Sequence, residues 1–190
     1  MPAGIHALFN HPALRRMLVG LRIPLFIALA AVLLWHAERE WFFPALAVSA
    51  FGEAIQLWCF GSLQKNQVLA GNGPYALVRN PMYLGRYLVL AGMLMLVGNG
   101  WLLGGFTIVY YFYMVNRVKR EEALLAPTFG AAYARYCAAV PRFLPRLSPR
   151  PGGRIACFDW ETFVRNHGPR NLLEVAAFYA LAYYLAFHAR

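Results

Sequence analysis

Charge is what this chain has least of. Of its 190 residues only 14% are charged, and the acidic ones number eight, which excludes the well-hydrated surface of an ordinary soluble domain of this length. Cysteine is scarce too: Cys59, Cys137 and Cys157 show no C-x-x-C spacing, so neither a disulfide framework nor a zinc site is indicated and no metal is expected. No internal repeat is visible. The N-terminal segment has no short apolar region ending in a small-residue cleavage site, so the first apolar run is expected to be retained.

What is present is apolar. Such residues make up 60% of the chain and gather in runs at 23–36, 41–60, 84–97, 101–115 and 172–187, against roughly 20 residues for a perpendicular crossing of about 30 Å of hydrocarbon. Several runs are short, so flanking residues or local thinning of the bilayer must complete them. The polar faces of a soluble helical bundle are missing. The expectation is an all-α, polytopic membrane protein of about five transmembrane helices. Residues 1–21, with Ile5, Leu8, Phe9, Leu14, Met17 and Leu18 beside Arg15 and Arg16, read either as an interfacial amphipathic helix or as a solvated tail.

Lys and Arg orient such a chain, because they stay on the cytoplasmic side of spanning segments. A cytoplasmic N-terminus leaves only Arg39 and Arg190 outside. The net charge of +10 is then retention charge that also favours anionic headgroups, and nucleic acid need not be invoked.

Turn chemistry divides the chain. Ala37-Glu38-Arg39-Glu40 is short enough to make the first two helices antiparallel neighbours. A joint over 61–80 contains Gly71-Asn72-Gly73-Pro74, and Pro81 pushes Asn80 out of the helical region. Gly98-Asn99-Gly100 is the pivot of a helical hairpin. Its second helix is expected to run past Asn116 to Pro127, with a further helical stretch around Tyr133 and Tyr136 ending at Val140-Pro141. Residues 142–170 form a long Arg-, Pro- and Gly-rich connection, and such connections are often functional.

Two polar clusters lie at the outer ends of that hairpin. One is the elbow from Gly73 to Gly85, and the other runs from Arg117 to Glu122. Folding back the hairpin brings both to one membrane face. Arg117 and Glu121, four apart, share a helix face. Alone they would be an exposed ion pair contributing a few tenths of a kcal/mol, but the mixture of signs at the bilayer edge also suits a zwitterionic ligand. Glu53, with Gln56 one turn on, is an intramembrane acid and therefore either a substrate-binding group or a packing device with a partner such as Arg86. Gly71-x-Gly73 has no preceding strand and no third glycine, so it is a turn and not a phosphate loop. His167 reads as a base, a headgroup ligand or part of an interfacial helix anchored by Phe158, Trp160 and Phe163.

The elbow Gly73-Pro74-Tyr75 through Arg79-Asn80-Pro81-Met82-Tyr83-Leu84-Gly85, the pair Glu121-Glu122, Phe129-Gly130 with Tyr133 and Tyr136, and Val140-Pro141-Arg142-Phe143 together resemble the isoprenylcysteine carboxyl methyltransferase and phospholipid methyltransferase superfamily. The resemblance covers about residues 60–146. The resemblance marks 61–146 as a methyltransferase core within what is expected to be one integral membrane domain over 1–190, with N-terminal helices at 1–60 and a cytosolic connection and last helix at 147–190. It also implies a cytosolic S-adenosylmethionine pocket contacted by Gln67, Val68, Leu69, Ala70, Tyr75, Asn80, Pro81, Met82, Tyr83 and Glu121. Arg117 would face the acceptor. The family usually has His where this chain has Asn80, which can hydrogen-bond but cannot titrate near neutrality.

A carboxylate acceptor needs no general base, whereas an amine must lose a proton before attack and no His stands beside the elbow. The leading expectation is therefore methylation of a lipophilic, isoprenylcysteine-like carboxylate by Arg117 and Glu121, with a phospholipid amine as the alternative acceptor. A small transporter or a non-catalytic scaffold are the alternatives of another class. Expected partners are the lipophilic substrate and membrane lipids, with no obligate protein partner.

Overall fold

The computed structural model describes residues 12–63 and 71–189. Six helices follow in order: α1 Pro12–Trp35, α2 Phe42–Ser62, α3 Pro81–Met95, α4 Gly100–Ala139, α5 Trp160–Arg165 and α6 Gly168–Phe187, with short 3-10 turns at Arg39–Trp41 and Gly73–Ala76. No strand occurs among the described residues, so the all-α expectation stands. By length and composition alone, one described segment suffices to cross a membrane, Arg39–Ser62. The apolar helix Ile23–Trp35 is shorter.

The largest helix interface joins α2 to α3, and small residues make it possible. A Cβ on Gly52 would lie 2.7 Å from the Gly85 carbonyl oxygen, and one on Gly85 would lie 2.8 Å from the Gly52 oxygen. Two glycines facing each other let the backbones touch, which is how apolar helices associate where burial alone supplies little drive. Ser49 extends the seam, donating to Val89 O at 2.8 Å and pairing with the Tyr179 hydroxyl of α6 at 2.6 Å.

The hairpin of α3 and α4 turns at Gly98, whose φ of 65° suits a residue without a Cβ, and Asn99 Oδ1 caps α4 by accepting from Leu102 N at 3.1 Å. Here the helices meet mainly through long side chains: Tyr87 stacks on Phe106 and bonds Thr107 at 3.0 Å. These spacers leave an apolar cleft of about 320 Å³ beneath α1, lined by Phe26, Leu29, Leu33, Leu90, Met93 and Phe106 among others.

Three expectations change. The first connection does not lay α1 chiefly on α2; α1 finds its helix partner in α6, because Glu38 N donates to Leu96 O at 2.7 Å and ties the turn to the far end of α3. Helix α4 does not stop at Pro127 but runs through it, and its non-helical residue is Gly130 (φ 50°, ψ −128°). Proline removes one donor, whereas glycine alone tolerates that backbone. Arg86 is not the partner of Glu53: it is exposed and lies over the Tyr83 ring, 5.9 Å from its centroid.

Candidate functional site

The elbow folds because its backbone groups find partners outside it. Pro74 is the second residue of the 3-10 turn and Pro81 the first of α3, each within the first turn, where a helix has no use for an N–H. Tyr75 is buried, and its carbonyl accepts from the Tyr136 hydroxyl at 2.9 Å. Burial pushes the Tyr75 hydroxyl well above the ordinary tyrosine range, so this ring is a neutral wall. Asn80 does not cap α3; its amide donates to Arg142 O at 3.2 Å.

Tyr83 is the meeting point of the two clusters. Its hydroxyl donates to Glu121 Oε1 at 2.7 Å and accepts from Arg117 Nε at 3.2 Å. Its carbonyl accepts from the Tyr110 hydroxyl at 2.7 Å, which fixes the first turn of α3 against α4. Burial first, and the bond to Glu121 second, raise the Tyr83 hydroxyl to about 12, so this group, one residue before the apolar run, remains a donor. Arg117 Nε and Glu121 Oε1 are 2.9 Å apart, with side chains 43% and 36% exposed. Of the polar side chains joined at this point, these two remain open to a ligand.

The hairpin thus brings Tyr83, Arg117 and Glu121 together, with Pro81 and Met82 in the same first turn. Gln67, Val68, Leu69 and Ala70 lie outside the described residues. Glu53 is only 4% exposed and belongs to a different constellation: Asn171 Nδ2 donates to both of its oxygens at 2.8 Å, and Gln56 Nε2 to one at 3.3 Å. Its partners come from α6 and its own helix. His167 adopts φ 65° at the start of α6 and is exposed. Beside it Phe158, Trp160 and Phe163 form one aromatic cluster, and Asp159 caps α5 by accepting from Thr162 N at 2.7 Å.

Sequence reasoning passed over the role of Glu122. Its Oε1 lies 3.1 Å from Arg79 Nη1 and 3.2 Å from Arg142 Nε, and Arg142 Nη2 takes the other oxygen. The only signal was its position beside Glu121, since its partners are remote in sequence.

The residues present fit S-adenosylmethionine in chemistry. Glu121, with its side chain 36% exposed, would suit an amino group or ribose hydroxyls, and the rings of Tyr75 and Tyr83 with the Met82 side chain lie at the same elbow.

Among the comparisons with known proteins, the family model falls on the same segments. Residues 43–132 match the phospholipid methyltransferase family model. A protein-S-isoprenylcysteine O-methyltransferase of Schizosaccharomyces pombe is 36% identical over 83 residues, covering 44% of this chain and 35% of that protein. A cobalt-zinc-cadmium resistance protein of Cupriavidus metallidurans is 26% identical over 174 residues, covering 87% and 80% respectively. A nickel-cobalt-cadmium resistance protein of Alcaligenes xylosoxydans is 26% identical over 145 residues, 71% of this chain and 68% of that one. No solved structure matches. The family model covers the elbow and the hairpin but less than half of this chain, and the Schizosaccharomyces relative is matched over 35% of its own length, so both stand as what this chain is similar to.

Proposed function

We propose that this chain is an S-adenosylmethionine-dependent methyltransferase that esterifies the carboxylate of a lipophilic, isoprenylcysteine-like acceptor at the cytoplasmic face of a membrane. The observation that carries the reading is the junction of Tyr83, Arg117 and Glu121, which closes the ends of the hairpin around an open pair of opposite charges. About five crossings are proposed from α1, α2, α3, the first part of α4 and α6. In support, large apolar side chains point outward along α1, α2, α4 and α6, among them Ile27, Phe43, Phe51, Ile108, Leu173 and Leu181, as lipid-facing residues would. The N-terminus and the site then share the cytoplasmic side, and residues 61–146 form the catalytic core.

When bound, the donor supplies a methyl group on a sulfonium, whose C–S bond breaks as the acceptor oxygen bonds carbon. Glu121 is the donor's acid, held in place by the Tyr83 hydroxyl, and Arg117 orients the acceptor carboxylate. Holding the reacting atoms in line is the main contribution asked of the protein. No base is needed, which agrees with Asn80 in place of a titratable group. The cleft beneath α1 supports a lipophilic acceptor, because its lining is apolar. Glu53 is retained as a candidate substrate contact only through its place in α2; its hydrogen bonds to Asn171 and Gln56 favour a structural role.

The test is transfer of a radiolabelled methyl group to small prenylcysteine analogues and to membrane lipid extracts. Base-labile product on the prenylcysteine supports the ester. Base-stable product on a phospholipid amine assigns the other acceptor class, and absence of transfer to either overturns the enzyme.

A further inference from the structure

Glu121 and Glu122 are consecutive in α4, and consecutive side chains on a helix diverge by about 100°. They therefore serve different neighbours. Glu121 turns to Tyr83 and Arg117, while Glu122 turns to Arg79 of the elbow and Arg142 beyond the end of α4. The side chains of Glu122 and Arg79 are only 14% and 15% exposed. Arg142, itself 37% exposed, forks onto both oxygens while Arg79 meets one of them from the buried side, and a carboxylate so shielded and so shared is held more strongly than one in a surface pair.

The segment that Arg142 begins has no regular structure, yet it runs along the elbow in reverse order. Arg79 N donates to Pro141 O at 2.9 Å, Arg146 N to Leu77 O at 3.0 Å, Arg150 N to Ala76 O at 3.0 Å and Gly73 N to Arg154 O at 2.7 Å. Asn80 donates to Arg142 O within this strap. Arg150 also lies over the ring of Tyr136, whose hydroxyl holds Tyr75. The strap thus holds Asn80 directly and Tyr75 through Tyr136.

We propose that Glu122 is a positioning residue: with Arg79 and Arg142 it anchors the strap 141–154 across the elbow and so fixes Tyr75 and Asn80 in the arrangement that receives the methyl donor. It touches neither donor nor acceptor. The second half of this inference rests on the elbow being the donor site; the anchoring itself does not.

The test uses the purified full-length protein and two readouts. Trypsin cleavage of the Arg146–Leu147 bond, without ligand, reports the strap, and calorimetry with S-adenosylhomocysteine reports the pocket. Glu122→Gln is expected to speed that cleavage at least about 10-fold and to weaken binding about 10-fold, each a tenfold change in an equilibrium. Glu122→Asp should restore most of both. Arg142→Gln removes the same pair from the other side and serves if Glu122→Gln does not fold. Unchanged cleavage in both Gln variants overturns the anchor, and faster cleavage with undiminished binding overturns the positioning. Failure of the wild-type protein to bind S-adenosylhomocysteine overturns the donor site, and the cleavage rates still decide the anchor.

Discussion

The Tyr83 hydroxyl lies 2.7 Å from Glu121 Oε1, so the start of α3 and the outer part of α4 meet although 38 residues separate them in sequence. The bond selects one approach of the two helices, and it aims the acid that a donor would meet. Tyr83→Phe keeps the ring and removes the donor. The expected loss is roughly 1 kcal/mol, or about fivefold in S-adenosylhomocysteine affinity by calorimetry, with melting temperature nearly unchanged.

Arg117→Ala should separate binding from turnover. Donor affinity is expected to stay within about twofold while methyl transfer falls about 100-fold through misplacement of the acceptor. Single-turnover rates alongside calorimetry measure both. Lost donor binding with intact acceptor affinity would reverse the assigned roles.

The seam between α2 and α3 has no room for a methyl group. Gly52→Ala and Gly85→Ala each force a Cβ to within 3 Å of a carbonyl oxygen of the facing backbone, and each is expected to cost about 2 kcal/mol. Gly104→Ala, whose Cβ meets nothing within 4 Å, should instead stabilise by roughly 0.5 kcal/mol through helix propensity. Thermal unfolding in one detergent compares the three.

Glu53 and Asn171 should behave as a coupled pair. Asn171→Leu leaves a buried carboxylate with only Gln56, and is expected to destabilise by about 1–2 kcal/mol. Adding Glu53→Leu should recover part of that loss. Additive effects in the double-mutant cycle would sever the pair.

What the chain announced in advance was local. Gly98-Asn99-Gly100 marks its turn by residue type alone, Pro74 and Pro81 stand in the first turns of their helices, where proline fits, and the four-residue spacing of Arg117 and Glu121 guarantees a shared face. Tyr83 was legible as part of a motif, though the hydroxyl bond that gives it a purpose was not. Partnerships between distant residues left no periodic trace: Asn171 reaches Glu53 across 118 positions, and Arg142 reaches Glu122 from a segment without regular structure. Arg86 looked a natural partner for Glu53 because opposite charges invite pairing, but an amide from α6 is nearer and Arg86 turns outward. Pro127 misled for a related reason, since proline weakens a helix whereas Gly130 actually departs from one.

The central claim is that the two ends of the hairpin close on a methyl donor. Calorimetric titration of S-adenosylhomocysteine into the purified protein, in detergent and again in bilayers, tests it most directly. Saturable one-to-one binding that Glu121→Ala weakens by at least about 10-fold, or 1.4 kcal/mol, is the result expected. Absence of binding in both environments, or binding indifferent to Glu121→Ala, would contradict it.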